Sequence, residues 1–241
     1  MKIVFSPKFF AVYTSDPAAS AGRLEAIVEE LKEYEFVEPS MASEEEILLV
    51  HTKRHLEDVR SEGLYEISAL SAGAAIRAAK ISLYEPAFSL SRPPGHHASQ
   101  NSSWGFCYFN NVAIAVRKLQ KDGDILKAAV VDFDLHYGDG TANIFSMDKN
   151  VRYFHMPGGD VNSIANFLEK VEYDIIAVSA GFDKHVDDWG GILETEDYRE
   201  IGRIIREYSE KCKGRRFAVL EGGYNHRVLG KNVKSFIKGF E

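Results

Sequence analysis

The sequence predicts an α/β fold, a single domain over residues 1–241 with three αβα layers and a mostly parallel central sheet. Three observations predict it. Short apolar, β-branched or aromatic runs recur along the chain, stretches with helical spacing lie between most of them, and reactive side chains gather directly after four of the runs. Strands that alternate with amphipathic helices form βαβ units, whose helices bury a parallel sheet on both faces. In such sheets ligands bind outside the carboxyl ends of the strands, so four segments distant in sequence can meet in one crevice.

In chain order, KIVF at 2–5 is the first expected strand, and helical spacing follows over 20–34, 43–60 and 67–81. AFSL at 87–90 is the second strand. It opens into SRPPGHHA, where two prolines restrict the backbone that carries His96 and His97. A helix is expected over 108–121, then the strand KAAVVDFD at 127–134, which runs into LHYGDG. VRYF at 151–154 is the next strand, with helical spacing over 162–170. DIIAVSA at 174–180 runs into GFDKHVDD with Asp183, a helix is expected over 195–212, and RFAVLEG at 216–222 runs into GYN with Tyr224.

The most informative stretch is VVDFDLHYGDG at 130–140. Read as extended chain, its period of two puts Asp132, Asp134 and His136 on one side and Phe133 and Leu135 on the other. Buried carboxylates need a cation or a hydrogen-bonding partner, and Asp with His suits a catalytic zinc. With Asp183 added, Asp134 and His136 give three protein ligands and leave a position open. Asp132 is better suited to orienting a histidine, and Asp139 in the following turn is a further acid. Two histidines and two spare acids suggest two His–Asp dyads, one of which supplies a general base. Tyr224, after Gly222 and Gly223, is placed to donate to an oxyanion.

Composition bounds the rest. Hydrophobic content of 45% and charged content of 27% are ordinary for a globular protein. No apolar run approaches the roughly 20 residues that span a bilayer, and MKIVFSPKFF lacks a signal-peptide pattern, so a cytoplasmic location is expected. Cys107 and Cys212 cannot build a disulfide framework, and Cys107, set among aromatics, reads as a buried inert thiol. A net charge of −7 argues against a general nucleic-acid surface.

Together, RPPGHHA, GFCYFNNVAIA, VVDFDLHYGDGT, SAGFDKH and EGGYN, in this order, resemble the zinc-dependent histone deacetylase family, which includes acetylpolyamine amidohydrolases and acetoin-utilisation proteins. FSPKF and EEEILLVHTKRHL extend the resemblance along nearly the whole chain. The resemblance implies one Zn2+ held by Asp134, His136 and Asp183. It implies His97 as general base paired with Asp139, His96 as the second histidine paired with Asp132, and Tyr224 as oxyanion donor. It also implies Gly105 and Phe106 as lining of an acyl-amine channel, and a structural K+ near Asp132, Asp134, His136 and the strand at Tyr153 and Phe154. Tyr153 stands where the family usually has serine.

The chain also departs from the family. LEDVRSEGLYEIS, before Ala69, is too short for the usual rim loop, with Asp58 its nearest acid, and HMPGGDVNS replaces a long loop after Phe154. A shallow mouth is therefore expected. The expected reaction is removal of an acetyl or other acyl group from an amine, on a protein lysine or a small molecule such as an acetylpolyamine. A ureohydrolase-like two-metal enzyme, another metal amide hydrolase and a non-catalytic acyl-amine binding module are the alternatives. Natural substrate and oligomeric state stay open.

Overall fold

The computed structural model describes residues 1–241. Along the chain run β1 (Lys2–Val4), α1 (Arg23–Glu30), β2 (Glu35–Val37), α2 (Glu44–Ile47), α3 (Lys53–Ser61), α4 (Tyr65–Ile81), β3 (Ala87–Ser89), α5 (Asn111–Lys121) and β4 (Ala128–Asp132). They are followed by α6 (Asp139–Phe145), β5 (Val151–His155), α7 (Asn162–Lys170), β6 (Ile176–Ala180), α8 (Thr195–Ser209), β7 (Arg216–Leu220) and α9 (His226–Phe240). The seven strands form one sheet in the order β2-β1-β3-β7-β6-β4-β5, and every pairing is parallel.

The four strands that lead into reactive segments, β3, β7, β6 and β4, are consecutive in this order. Their register brings the carboxyl ends level: Ser89 pairs with Val219, Ala180 with Leu220, and Asp132 with Ser179. All residues of these four strands are buried, as a parallel sheet covered on both faces requires. Helix α4 packs on α5, and α9 packs on both α8 and α1, which completes the three layers. One connected cluster of 64 buried apolar residues runs through the sheet and its helices, so the whole chain shares a core.

Several expectations shift. The helix expected over 43–60 is two helices: Ser43 forms a capping box with Glu46, and the Thr52 hydroxyl accepts from the His55 N–H, so each start is independently capped. The helix expected over 20–34 is shorter, because Gly22 enters it with φ of 85° and the chain turns after Leu31 into β2. Strand β2, helix α6 and helix α9 are additions. Helix α9 carries Leu229, Val233, Phe236, Ile237 and Phe240 into the core, although two interior glycines lower its intrinsic helicity. The segment 130–140 is not extended throughout: β4 ends at Asp132. Beyond it the Asp132 carboxylate accepts from the Asp134 N–H (3.1 Å) and the Asp134 carboxylate from the His136 N–H (2.9 Å). These side-chain turns replace the ladder yet keep Phe133 buried away from the three polar residues.

Candidate active site

Asp134, His136 and Asp183 come together at the carboxyl ends of β4 and β6, with their ligand atoms within 4.8 Å of one another. His136 Nδ1 lies 3.3 Å from Asp134 Oδ1 and 3.1 Å from Asp183 Oδ2. Both carboxylates are buried, at 1% and 0% exposure. Their other oxygens are held by backbone: Asp134 Oδ2 accepts from Gly222 N–H (2.8 Å) and Asp183 Oδ1 from Leu135 N–H (2.9 Å). Asp183 Oδ2, in contrast, is buried without a hydrogen-bond partner. Burial and the neighbouring Asp134 charge push Asp183 up to about 6. Burial acts on Asp134 too, but His96 and His136 outweigh it and hold that carboxyl below its usual range. The carboxylates of Asp134 and then Asp183 beside its ring push His136 up to about 10. Two oxygens and a nitrogen aimed at one point, one oxygen orphaned, and a charge balance that calls for a cation fit a zinc ion.

The approach of Gly222 to this cluster is close: a Cβ there would sit 2.6 Å from Asp134 Oδ2 and 2.8 Å from Asp183 Oδ2. Gly222→Ala is therefore expected to displace both carboxylates and weaken zinc binding by about 10–100-fold. Competition against a colorimetric chelator measures this, and an unchanged affinity would remove the two carboxylates as ligands.

Behind the cluster stand the two histidines, their rings 4.1 Å apart. His97 Nδ1 lies 2.7 Å from Asp139 Oδ1, and His96 Nδ1 lies 3.1 Å from Asp132 Oδ2, so both expected dyads form. Their environments drive them apart. Burial disfavours the charge on His96, but Asp134 and Asp132 overcome it and raise His96 well above the ordinary range. Burial and the charge on His96 lower His97, with Asp139 only partly opposing them. The surroundings thus favour the charged form of His96 and the neutral form of His97, a division of acid from base.

Both histidines, Trp104, Gly105, Phe106, His136, Trp189 and Tyr224 line a cavity of about 120 Å³. Tyr224 stacks on Trp189 at 4.1 Å and meets Phe106 edge-on at 5.9 Å. Burial raises the Tyr224 pKa, so its phenol stays protonated and serves as a donor. Gly105 has φ of 59° and a Cβ there would lie 2.5 Å from His97 Cδ2, so only glycine lets the imidazole pack this closely. Phe106 follows in the same left-handed region, at φ of 66°.

Four residues that hold this site were not singled out from sequence. Glu221 directly follows β7: its Oε2 accepts from Gly95 N–H (2.7 Å) and His96 N–H (3.2 Å), and its Oε1 from Ser179 Oγ (3.1 Å). His96, Cys107 and Glu221 also lie close together, but these three bonds already satisfy Glu221, and burial raises the Cys107 thiol well above its usual range. Arg23 is buried and donates to the Glu221 carbonyl (2.6 Å) and the Gly223 carbonyl (2.8 Å), which fixes the turn bearing Tyr224. Lys184 is buried and donates to the Met156 carbonyl while facing Asp132, Asp134 and Asp183. Trp104 donates to Asp139. An acid or base inside a strand-end motif, as in EGGYN and GFDKH, is the signal available for Glu221 and Lys184.

Near the place implied for K+, Tyr153 donates to Asp132 Oδ2 (2.9 Å) and accepts from Gly138 N–H (3.0 Å). The rim is short, as expected: only Glu62–Leu64 separate α3 from α4, and Asp58 pairs with Arg54 at 3.8 Å on the exposed face of α3.

Comparison with known proteins places this geometry. The family model described as "Histone deacetylase domain" matches residues 59–158 and 161–240, well over half of the chain. A "Probable deacetylase" of Methanothermobacter thermautotrophicus is 31% identical across 100% of this chain and 91% of its own length. A second "Probable deacetylase", from Archaeoglobus fulgidus, is 34% identical across 88% of this chain and 74% of its own length. The crystal structure of the HDA15 HD domain superposes with a TM-score of 0.86 over 99% of this chain and 88% of that one; at 23% identity this speaks for the fold. The chain belongs to the histone deacetylase family, and with it to the hydrolases that cleave amides.

Proposed function

We propose that this chain is a zinc-dependent amidohydrolase that removes an acetyl group from an amine, with acetyl-lysine and acetylpolyamines as the candidate substrates. The observation that carries the reading is the pair of His–Asp dyads, His97–Asp139 and His96–Asp132, whose imidazoles line one cavity with His136 of the Asp134–His136–Asp183 cluster. Asp134, His136 and Asp183 would hold one zinc ion per chain. When bound, zinc supplies Lewis acidity toward the amide carbonyl and the attacking water, whose pKa falls toward roughly 7 at such sites.

The chain's own groups do the rest. The Asp139 carboxylate fixes the His97 tautomer by taking its Nδ1–H, which leaves Nε2 with a lone pair to receive the proton of water. Tyr224 donates to the oxyanion as the carbonyl carbon becomes tetrahedral. His97 then returns its proton to the nitrogen, the C–N bond breaks, and acetate and a free amine leave. His96, whose charged form Asp134 and then Asp132 favour, would add a positive field beside the developing negative oxygen.

Acetate release from acetyl-lysine peptides and acetylpolyamines, measured side by side with and without a hydroxamate and together with the metal content, tests the reading. One zinc per chain and hydroxamate-sensitive turnover are expected. Two metals per chain would favour a ureohydrolase-like enzyme, and tight binding of acetylamines without turnover would favour a binding module. Activity and melting temperature in matched sodium and potassium buffers test the K+ site. Tyr224→Phe is expected to lower kcat by about 10²–10³-fold with zinc content unchanged, the usual cost of one oxyanion donor. Full activity in that variant would remove Tyr224 from the mechanism.

A further inference from the structure

Both tryptophans of the chain, Trp104 and Trp189, line the cavity, and both are more than half exposed. Trp189 is accounted for by its stack on Tyr224. Trp104 has a different set of contacts. Its indole Nε1–H donates to Asp139 Oδ2 at 2.9 Å, while the other oxygen of the same carboxylate takes His97 Nδ1 at 2.7 Å. Its ring also lies on the His97 imidazole, with centroids 4.0 Å apart and planes inclined by 36°. His96 covers the other side of that imidazole at 4.1 Å.

The local backbone is built for this placement. Trp104 precedes Gly105 and Phe106, at φ of 59° and 66°, and its carbonyl accepts from Cys107 N–H at 3.0 Å. A bulky residue in the left-handed region is costly and persists only where its surroundings impose it. The tight turn sets the indole over the dyad rather than into the core. Asp139 stands at the start of α6 with its side chain 38% exposed, so without the indole one carboxylate oxygen would face water and the group could rotate about its last bond.

We propose that Trp104 is a positioning residue for the His97–Asp139 pair: its N–H fixes the Asp139 carboxylate and its ring fixes the imidazole, so that His97 Nε2 faces the cavity. Trp104 thus completes a chain of indole, carboxylate and imidazole that is anchored at the rim and ends at the proton acceptor. The inference rests on His97 as the base of the proposed reaction.

The test is a kinetic cycle on the zinc-loaded protein with W104F, D139N and the double variant, alongside H97A. W104F keeps a ring on His97 and removes the N–H, and it is expected to lower kcat by about 10–100-fold with KM within about twofold of wild type, the scale of losses for groups that orient an active-site histidine. Because Trp104 acts through Asp139, W104F in the D139N background is expected to cost less than about twofold more. W104H, which keeps a ring and an N–H donor, is expected to recover part of the loss. Since Trp104 is exposed, the variants should melt within a few degrees of wild type. Multiplicative losses in the double variant, or a raised KM with unchanged kcat, would make Trp104 a substrate wall and overturn the proposal. Wild-type kcat in W104F would overturn it outright. If H97A itself keeps full activity, the reading of His97 as base fails instead, so the two failures are distinguishable.

Discussion

Asp183→Ala is expected to release the stoichiometric zinc and to lower turnover by on the order of 10³-fold or more, since the metal's stabilisation of developing charge amounts to several kcal/mol. Asp183 is the proposed ligand furthest in sequence from the other two, and its Oδ2 has no hydrogen-bond partner in the protein. Its carboxyl, pushed up to about 6 by burial and by Asp134, binds a proton in competition with the metal. Zinc affinity should therefore fall as the pH drops through about 6, as a chelator titration at several pH values would show. The sign for the zinc-free protein is opposite. A carboxyl raised above its unfolded value destabilises the fold as the pH rises from the unfolded pKa through the folded one. Asp183→Asn, which keeps an oxygen for Leu135 N–H, should thus melt no lower than zinc-free wild type above pH 6, while losing the zinc-induced rise in melting temperature. A variant that melts much lower without zinc would mean that Asp183 serves the fold rather than the metal.

The convergence that makes this prediction possible is legible in the sequence because of one geometric rule. A parallel sheet puts all its carboxyl ends on one side, so runs that end in chemistry must deliver it to a common edge. The side-by-side order β3-β7-β6-β4 is not legible, since it depends on pairings between residues about 40 to 130 positions apart. The period of two at 130–140 predicts the right grouping of Asp132, Asp134 and His136 for an incomplete reason: the strand stops at Asp132, and Asp carboxylates that capture the N–H two residues on carry the alternation further. Strand β2 at the sheet edge begins with the exposed Glu35 and is only partly buried, so it leaves no apolar run. Glu221, Arg23, Lys184 and Trp104 escape for a different cause. Each makes a positioning hydrogen bond to a partner at least 28 positions away, which no local window contains.

His97→Ala is expected to lower kcat by about 10²–10⁴-fold, the range for loss of a positioned general base, with zinc retained because the imidazole is not in the ligand set. The pH profile carries the sharper test. His97 must be neutral to accept a proton, so activity falls as pH drops through its pKa. Burial and then the charge on His96 hold that pKa below the ordinary 6.5, which places the acid limb of kcat/KM at lower pH than an unperturbed histidine would give. Asp139 is the group that opposes this shift, through its hydrogen bond to Nδ1. Asp139→Asn should therefore move the acid limb further down while also lowering kcat, because the imidazole becomes a weaker base and loses the partner that sets its tautomer. The two effects have separate origins and must appear together. A lowered kcat with an unmoved limb would mean that another group accepts the proton; the neighbouring imidazole, His96 at 4.1 Å, could do so only after giving up the proton that Asp134 and Asp132 favour on it.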